Sequence, residues 1–207
     1  MENLIPLRRH VDADNSCLFS SCGYLIDKSN FSNTTSLMIR NIVVNAIEKE
    51  KKYDITILGQ SKKSYIEFIE NPSSWGGATE LKILSDIYGI QIVAIDVKTM
   101  KHYIFGSDKK FLKRIYVIHN GVHYDPLVMT TSADANISED VTIFNSNDEL
   151  VFAKFKSLVK NYHDQGEYID MNDIKSLECD TCQEQFSTKH KATLHAQYYD
   201  HWNFNAI

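Results

Sequence analysis

The sequence predicts an α+β fold: a twisted sheet of mixed strands flanked by helices, followed by a small ββα module. Three observations carry that reading. Apolar residues recur at helical spacing through residues 17–88. The period then changes to the near-continuous β-rich run Ile90-Gln91-Ile92-Val93-Ala94-Ile95, the pattern of a buried strand. Near the end, two cysteines and two histidines stand at the spacing of a tetrahedral metal site.

Taken in order, Asn15 or Ser16 can cap a helix from about Cys17 to Ile26, with Leu18, Cys22, Leu25 and Ile26 facing inward. Ser36 to Lys52 reads as a longer amphipathic helix through Ile39, Val43, Ala46 and Ile47. Ser64 to Ile69 is a third, ending before Asn71-Pro72. Trp75-Gly76-Gly77 is a turn, and the helix from Ala78 to Tyr88 stops at Gly89. After the 90–95 strand, His102 to Phe105 and Arg114 to Ile118 are further strands. Asn120-Gly121 between apolar flanks signals a tight hairpin with both turn residues at positive φ, returning through Val122 to Leu127. Thr130 to Asp140 is polar and aperiodic, a surface loop or insertion. Asp148 to Tyr162 is a helix with Val151, Phe155, Leu158, Val159 and Tyr162 on one face, ended by Gly166.

At 207 residues the chain has room for one medium domain, expected over residues 1–165, and a small module over 166–207. With 43% hydrophobic residues it can bury a core. A net charge of −5 and a pI near 5.9 argue against coating nucleic acid or binding an anionic membrane. No apolar run approaches the length of a bilayer span, and Met1 to Val11 contains no apolar signal region. Four cysteines, two of them in a Cys-x-x-Cys pair with histidines downstream, suit reduced thiols and metal binding better than disulfides. The chain reads as cytosolic or nuclear.

Asp14-Asn15-Ser16-Cys17-Leu18-Phe19 and Asn120-Gly121-Val122-His123-Tyr124-Asp125 together supply the parts of a cysteine-hydrolase site. Cys17 would open a helix, where the macrodipole favours an anion. A nearby imidazole, best supplied by His123, can take the thiol proton. Asp125 stands two residues on; in a strand the two would project to the same face, so the carboxylate can orient the ring. The tight Asp14–Cys17 loop can aim N–H groups at a developing oxyanion, with Asp14 shaping the loop. Cys22 reads as a small buried residue. His119 reads as a surface residue beside a turn, and His10, His102 and His163 have no partner pattern.

Asp-x-x-Cys-Leu-Phe at Asp14 to Phe19, Ser-Trp-Gly-Gly-Ala-x-Glu at Ser74 to Glu80 and Asn-Gly-x-His-Tyr-Asp at Asn120 to Asp125 resemble, in order, the motifs of the OTU (ovarian-tumour) family of cysteine deubiquitinases. The terminal cluster resembles the C2H2 finger that follows the OTU domain in the ubiquitin thioesterase subfamily. The resemblance implies an OTU-type, papain-like site layout, with residues 1–165 as the catalytic domain and ubiquitin or polyubiquitin chains as substrate. By position it makes Cys17 the nucleophile, His123 the general base and acid, Asp125 the residue that orients His123, and Asp14 the loop aspartate. Trp75, Gly76 and Gly77 would shape the channel for ubiquitin's Gly-Gly tail, although an equal reading makes Trp75 a core anchor. In this family a ubiquitin-like domain commonly precedes the OTU domain and docks on the AAA segregase (valosin-containing protein). Here the chain begins only a few residues before Asp14, so that partner is not expected.

Two residues separate Cys179 from Cys182, twelve separate Cys182 from His195, and five separate His195 from His201. Two thiolates from a turn and two imidazoles from one helix face complete a tetrahedron around Zn²⁺, a structural ion with no part in catalysis. Phe186 stands where such fingers place a core aromatic, and Ala192 where a larger apolar residue is usual, so the module should depend on its metal. Lys189 and Lys191 are offset by Asp180, Glu184 and Asp200, which favours protein contact over nucleic acid. Besides the enzyme, two readings stand: a ubiquitin-binding adaptor that has lost its chemistry, and a nucleic-acid binder. Turnover of a ubiquitin ester or amide dismisses the first; absence of salt-dependent retention on a DNA or RNA column dismisses the second.

Overall fold

The computed structural model describes residues 3–169, 176–187, 189–199, 201 and 204–206. The expectations for Asp200 and for the Lys189 side chain fall outside the described groups. The chain forms two compact units, Met1–Tyr168 and Ile169–Ile207.

The first unit opens with β1 (Ile5–Arg8), α1 (Cys17–Ile26), α2 (Thr35–Lys49), α3 (Ile55–Leu58), α4 (Lys62–Glu70) and α5 (Ala78–Tyr88). There follow β2 (Gln91–Asp96), β3 (His102–Phe105), β4 (Lys113–His119), β5 (Tyr124–Thr130), β6 (Phe144–Asn145) and α6 (Glu149–Asp164). The strands make one mixed sheet in the order β1-β5-β4-β2-β3, with β6 also pairing with β4. β2 and β4 run parallel and the other pairs antiparallel.

Alternation along the central strands builds two cores. Ile92, Ala94, Ile115 and Val117 pack with α1, α2, α4 and α5. Val93, Ile95, Tyr116 and Ile118 point the other way, onto Val151, Phe152, Phe155 and Val159 of α6. A strand covered on both faces has no solvent side to mark with polar residues, which is why residues 90–95 read as continuous rather than alternating. α1 comes so close to α2 that a Cβ on Gly23 would lie 2.3 Å from Cγ2 of Thr35.

Three expectations need correction. α2 stops at Lys49 rather than Lys52: Glu50 is extended, and the Lys62 ammonium donates to the carbonyls of Ile47 and Glu50, both at 2.6 Å. The 120–121 hairpin is not a two-residue turn. His119 pairs with Tyr124, so residues 120–123 form the loop. Gly121 has φ 110°, Asn120 does not take positive φ, and the Asn120 side chain instead accepts the N–H groups of Val122 and His123. The 130–140 segment is more than a polar loop: Asp140 is buried and accepts Arg9 Nε and Nη2, each at 2.8 Å, together with the Tyr24 hydroxyl. β1, α3 and β6 carry no pattern strong enough to be read beforehand.

The second unit holds β7 (Leu177–Cys179), β8 (Gln185–Phe186), α7 (Lys189–Tyr199) and β9 (Phe204–Ala206), with sheet order β8-β7-β9. Cys179, Phe186 and Ala192 form its small core, and the Phe186 ring lies 4.7 Å from that of His195.

Candidate active site

The site begins where α1 does. Asn15 adopts φ 63°, the left-handed region that short polar side chains tolerate, and Ser16 follows at φ −112°, ψ 7° before the helix opens at Cys17. A left-handed residue followed by a right-handed one turns successive N–H groups toward a common point, an anion-binding nest. Asp14, exposed, stabilises this bend by accepting the Ser16 N–H at 2.9 Å. Among the described residues, neither the Asn15 nor the Cys17 N–H has an acceptor, so these two donors remain for an incoming oxyanion.

Cys17 is 9% exposed and reaches the β4–β5 loop. Its Sγ lies 3.4 Å from the Tyr124 nitrogen, which donates to it, and the Ser21 hydroxyl donates to the Tyr124 carbonyl at 3.1 Å. These bonds tie the first turn of α1 to the start of β5. His123 precedes Tyr124, and its Nε2 stands 3.1 Å from Oδ1 of Asp125. Asp125 on one side and Cys17 on the other raise the His123 pKa to about 10, while burial of the ring pulls the opposite way. With Nε2 engaged by Asp125, Nδ1 is the ring atom left to exchange a proton with the thiol.

Asp125 is 1% exposed. Burial would raise its pKa, but hydrogen bonds from His123, the Val11 N–H at 2.9 Å and Arg8 Nε at 2.7 Å outweigh it and hold the carboxyl below its usual value. His10 contradicts its partnerless reading: Nδ1 lies 3.5 Å from Oδ2 of the same carboxylate, with the side chain largely exposed. His119 is likewise no mere surface residue, being partly buried, 3.4 Å from Asp96, with its ring tilted against that of Tyr124 at 4.4 Å. His102 meets the Phe152 ring edge-on, and His163 lies 2.9 Å from the Val97 carbonyl oxygen. Cys22 is core, and burial followed by the nearby Cys17 pushes its thiol up to about 12.

The loop before α5 lies beside this cluster. Trp75 is 39% exposed, and its Nε1–H donates to Oδ1 of Asn15. A Cβ on Gly76 would sit 2.9 Å from the Phe19 ring, so the close approach of loop to α1 requires glycine there. Gly77 caps α5, and its N–H donates to Oε2 of buried Glu80 at 2.6 Å. Sequence reasoning missed Arg8, which fixes Asp125, and Arg40, which is buried under the Asp14–Cys17 loop. Arg40 left a readable signal: it is a charge within the apolar stripe of α2.

In the second unit, one ligand atom from each of Cys179, Cys182, His195 and His201 lies within 4.8 Å of the others. Cys182 Sγ is 3.4 Å and His201 Nδ1 3.3 Å from His195 Nε2. Tetrahedral Zn²⁺ with ordinary Zn–S and Zn–N bonds would place such atoms about 3.5 and 3.3 Å apart, so the four residues fit that ion. Glu184 Oε2 lies 3.0 Å from Nδ1 of His195, without the alignment of a hydrogen bond.

Comparison with known proteins agrees with this layout. Residues 12–140 match the model of the OTU-like cysteine protease family. Ubiquitin thioesterase OTU1 of Dictyostelium discoideum is 35% identical over 95% of this chain and 60% of its own length. The ovarian tumour domain-containing deubiquitinating enzyme 2 of Arabidopsis thaliana is 33% identical over 99% of this chain and 98% of its own. The chain thus spans about three fifths of the Dictyostelium protein and nearly all of the Arabidopsis one. A solved OTU domain in complex with ubiquitin superimposes with a TM-score of 0.67 at 30% identity, covering 79% of this chain and 90% of that one. The viral OTU domain protease of Qalyub virus shares the fold, with a TM-score of 0.52 at 18% identity over 62% of this chain and 86% of its own. The chain belongs to the OTU family of cysteine proteases.

Proposed function

We propose, with that membership as the premise, that this protein is a thiol-dependent deubiquitinase. The observation that carries the reading is His123 set between Cys17 and a buried, ionised Asp125. Cys17 Sγ, its proton already transferred to His123, attacks the carbonyl carbon of ubiquitin's C-terminal glycine as a thiolate beside the imidazolium. The oxyanion is received by the N–H groups of Asn15 and Cys17, in the bend shaped by Asp14. Collapse expels the lysine amine of the isopeptide, which leaves with the proton held on His123, and a thioester remains on Cys17. Water then attacks the thioester, giving its proton to His123, which returns it to sulfur as the ubiquitin carboxylate departs. Asp125 holds the ring and stabilises its cation throughout. Trp75, Gly76 and Gly77 border the approach to the thiol and guide the ubiquitin tail.

Ubiquitin recognition is supported by the names of the relatives and by the ubiquitin-bound neighbour. The catalytic part is the first unit, and the second unit is a C2H2 module in which Cys179, Cys182, His195 and His201 hold a structural Zn²⁺. Nucleic acid and membranes stand outside this reading. Among the described residues no helix is long and apolar enough to cross a membrane. The cytosol or nucleus, where thiols stay reduced, is the fitting compartment.

The test is turnover of ubiquitin carrying a fluorogenic C-terminal amide. Wild-type protein should release the fluorophore and Cys17→Ala and His123→Ala should not; a wild type without turnover, or an active Cys17→Ala, would overturn the reading.

A further inference from the structure

α2 carries a residue that its apolar stripe ought to exclude. Ile39, Val43, Val44 and Ile47 face the core, and Arg40 lies among them with 1% of its surface exposed. A guanidinium so placed is costly unless its donors are satisfied. They are satisfied by main-chain carbonyls and one hydroxyl, not by a carboxylate. Nη1 donates to the Ile69 carbonyl at 3.1 Å. Nη2 shares its hydrogens among the carbonyls of Asn15 at 3.1 Å, Pro72 at 2.9 Å and Ser74 at 2.6 Å, and Ser16 Oγ at 3.0 Å. Nε adds a second bond to Ser16 Oγ at 3.3 Å. The guanidinium also lies over the Phe19 ring at 4.2 Å, the same ring that Gly76 approaches.

These acceptors belong to the two loops that flank the thiol. Asn15 and Ser16 are in the bend before Cys17, while Pro72 and Ser74 precede Trp75. The peptide between Asn15 and Ser16 is gripped at both ends, its carbonyl by Arg40 and its N–H by Asp14. Fixing that plane holds Asn15 in its left-handed conformation. The free N–H groups of Asn15 and Cys17 stand on either side of it.

We propose that Arg40 is a positioning residue for acyl transfer: by clamping the Asn15 carbonyl to the 72–74 loop it presets the N–H groups that receive the oxyanion. The proposal rests on the hydrolase reading above, and extends it to a side chain that never touches substrate. A planar guanidinium can serve this many carbonyls in two loops at once, whereas an ammonium keeps the charge and loses the fork.

Arg40→Lys is therefore the decisive variant, with two reactions of Cys17 compared in the full chain. Hydrolysis of the ubiquitin amide passes through an oxyanion; alkylation by iodoacetamide, in which sulfur displaces iodide, does not. Arg40→Lys should lower kcat about ten- to a hundredfold with KM within about twofold, since preset oxyanion donors are worth that much or more. Alkylation of Cys17, mapped by mass, should stay within about threefold of wild type. Wild-type kcat in Arg40→Lys, or alkylation falling in step with kcat, would overturn the proposal; the second result would mark a merely structural role. Arg40→Met should show a larger kcat loss with the same split, and if it does not fold, Arg40→Lys decides alone. A wild type that fails to turn over ubiquitin would remove the hydrolase reading and this proposal with it, a result distinguishable from an active wild type matched by its variant.

Discussion

Oδ1 of Asp125 faces His123 at 3.1 Å, yet the same carboxylate also accepts Arg8 Nε on Oδ2 at 2.7 Å and the Val11 N–H on Oδ1 at 2.9 Å. Its orientation is therefore set by β1 and the residues after it before any histidine is considered. β1 pairs with β5 with Arg8 opposite Leu127, which brings the Arg8 side chain to a residue 117 positions away in sequence. The placement of Asp125 beside His123 is a product of the sheet, and its energetics should respond to pH in a defined direction.

His123 is held above its ordinary pKa, at about 10, chiefly by Asp125. A histidine raised in the folded state stabilises the fold fully below its unfolded pKa near 6.5, and that stabilisation is lost as pH rises through about 10. Asp125 acts at the other end: its pKa is lowered, so its contribution is present above about 3.9 and lost as pH falls through the folded value. Activity should give a bell whose alkaline limb reports loss of the imidazolium proton. Asp125→Asn should move that limb toward lower pH and cut kcat at least about tenfold, with about 10⁴-fold as the bound set by serine-protease triads. An alkaline limb that stays in place across a kcat/KM profile would separate Asp125 from His123.

Gly76→Ala should destabilise the first unit, because the new Cβ meets an aromatic ring edge at 2.9 Å that has no flexible end to yield. Overpacking of this kind costs about 1–3 kcal/mol, equivalent to a Tm lower by about 2–12 °C in a unit of this size. Gly77→Ala is the control, since its Cβ would meet only Glu80 Oε2 at 4.0 Å. Equal thermal unfolding for the two variants would show that the Phe19 contact does not constrain the loop.

The metal expectation is checked without any activity assay. Purified protein should retain one equivalent of Zn²⁺, and Co²⁺ in its place should show the visible absorption of a tetrahedral thiolate-imidazole site. Cys182→Ser should weaken retention, and a chelator should abolish the ordered structure of the second unit. Protein that keeps no metal at micromolar Zn²⁺ would refute the assignment.

Local signals were legible and non-local ones were not. The stop of α5 at Gly89, which adopts φ 59°, is set by neighbouring residues and could be read directly, whereas α1 opens at Cys17 without the expected side-chain cap: Ser16 Oγ accepts from Arg40 and Asn15 Oδ1 from Trp75. Cys17, His123 and Asp125 were legible as types at a spacing, and their meeting depends on β5 lying beside α1. β1 is four residues long and becomes a strand only through its pairing with β5. The turn at 120–123 misled because Asn120-Gly121 signals a two-residue hairpin, whereas the Asn120 side chain satisfies two N–H groups in a longer loop. Arg40 escaped because a helical stripe is read as apolar, and a charge within it is assumed to point outward. Its use lies in loops 24 to 34 residues away.

The central claim is that Cys17 is the nucleophile that ubiquitin's C-terminus meets. The most direct measurement is labelling with ubiquitin bearing a thiol-reactive C-terminal warhead, followed by mass mapping of the adduct. The account predicts one adduct, on Cys17, absent from Cys17→Ala while Cys22 stays unmodified in its buried position. An adduct on another cysteine, or none while ubiquitin still binds, would contradict it.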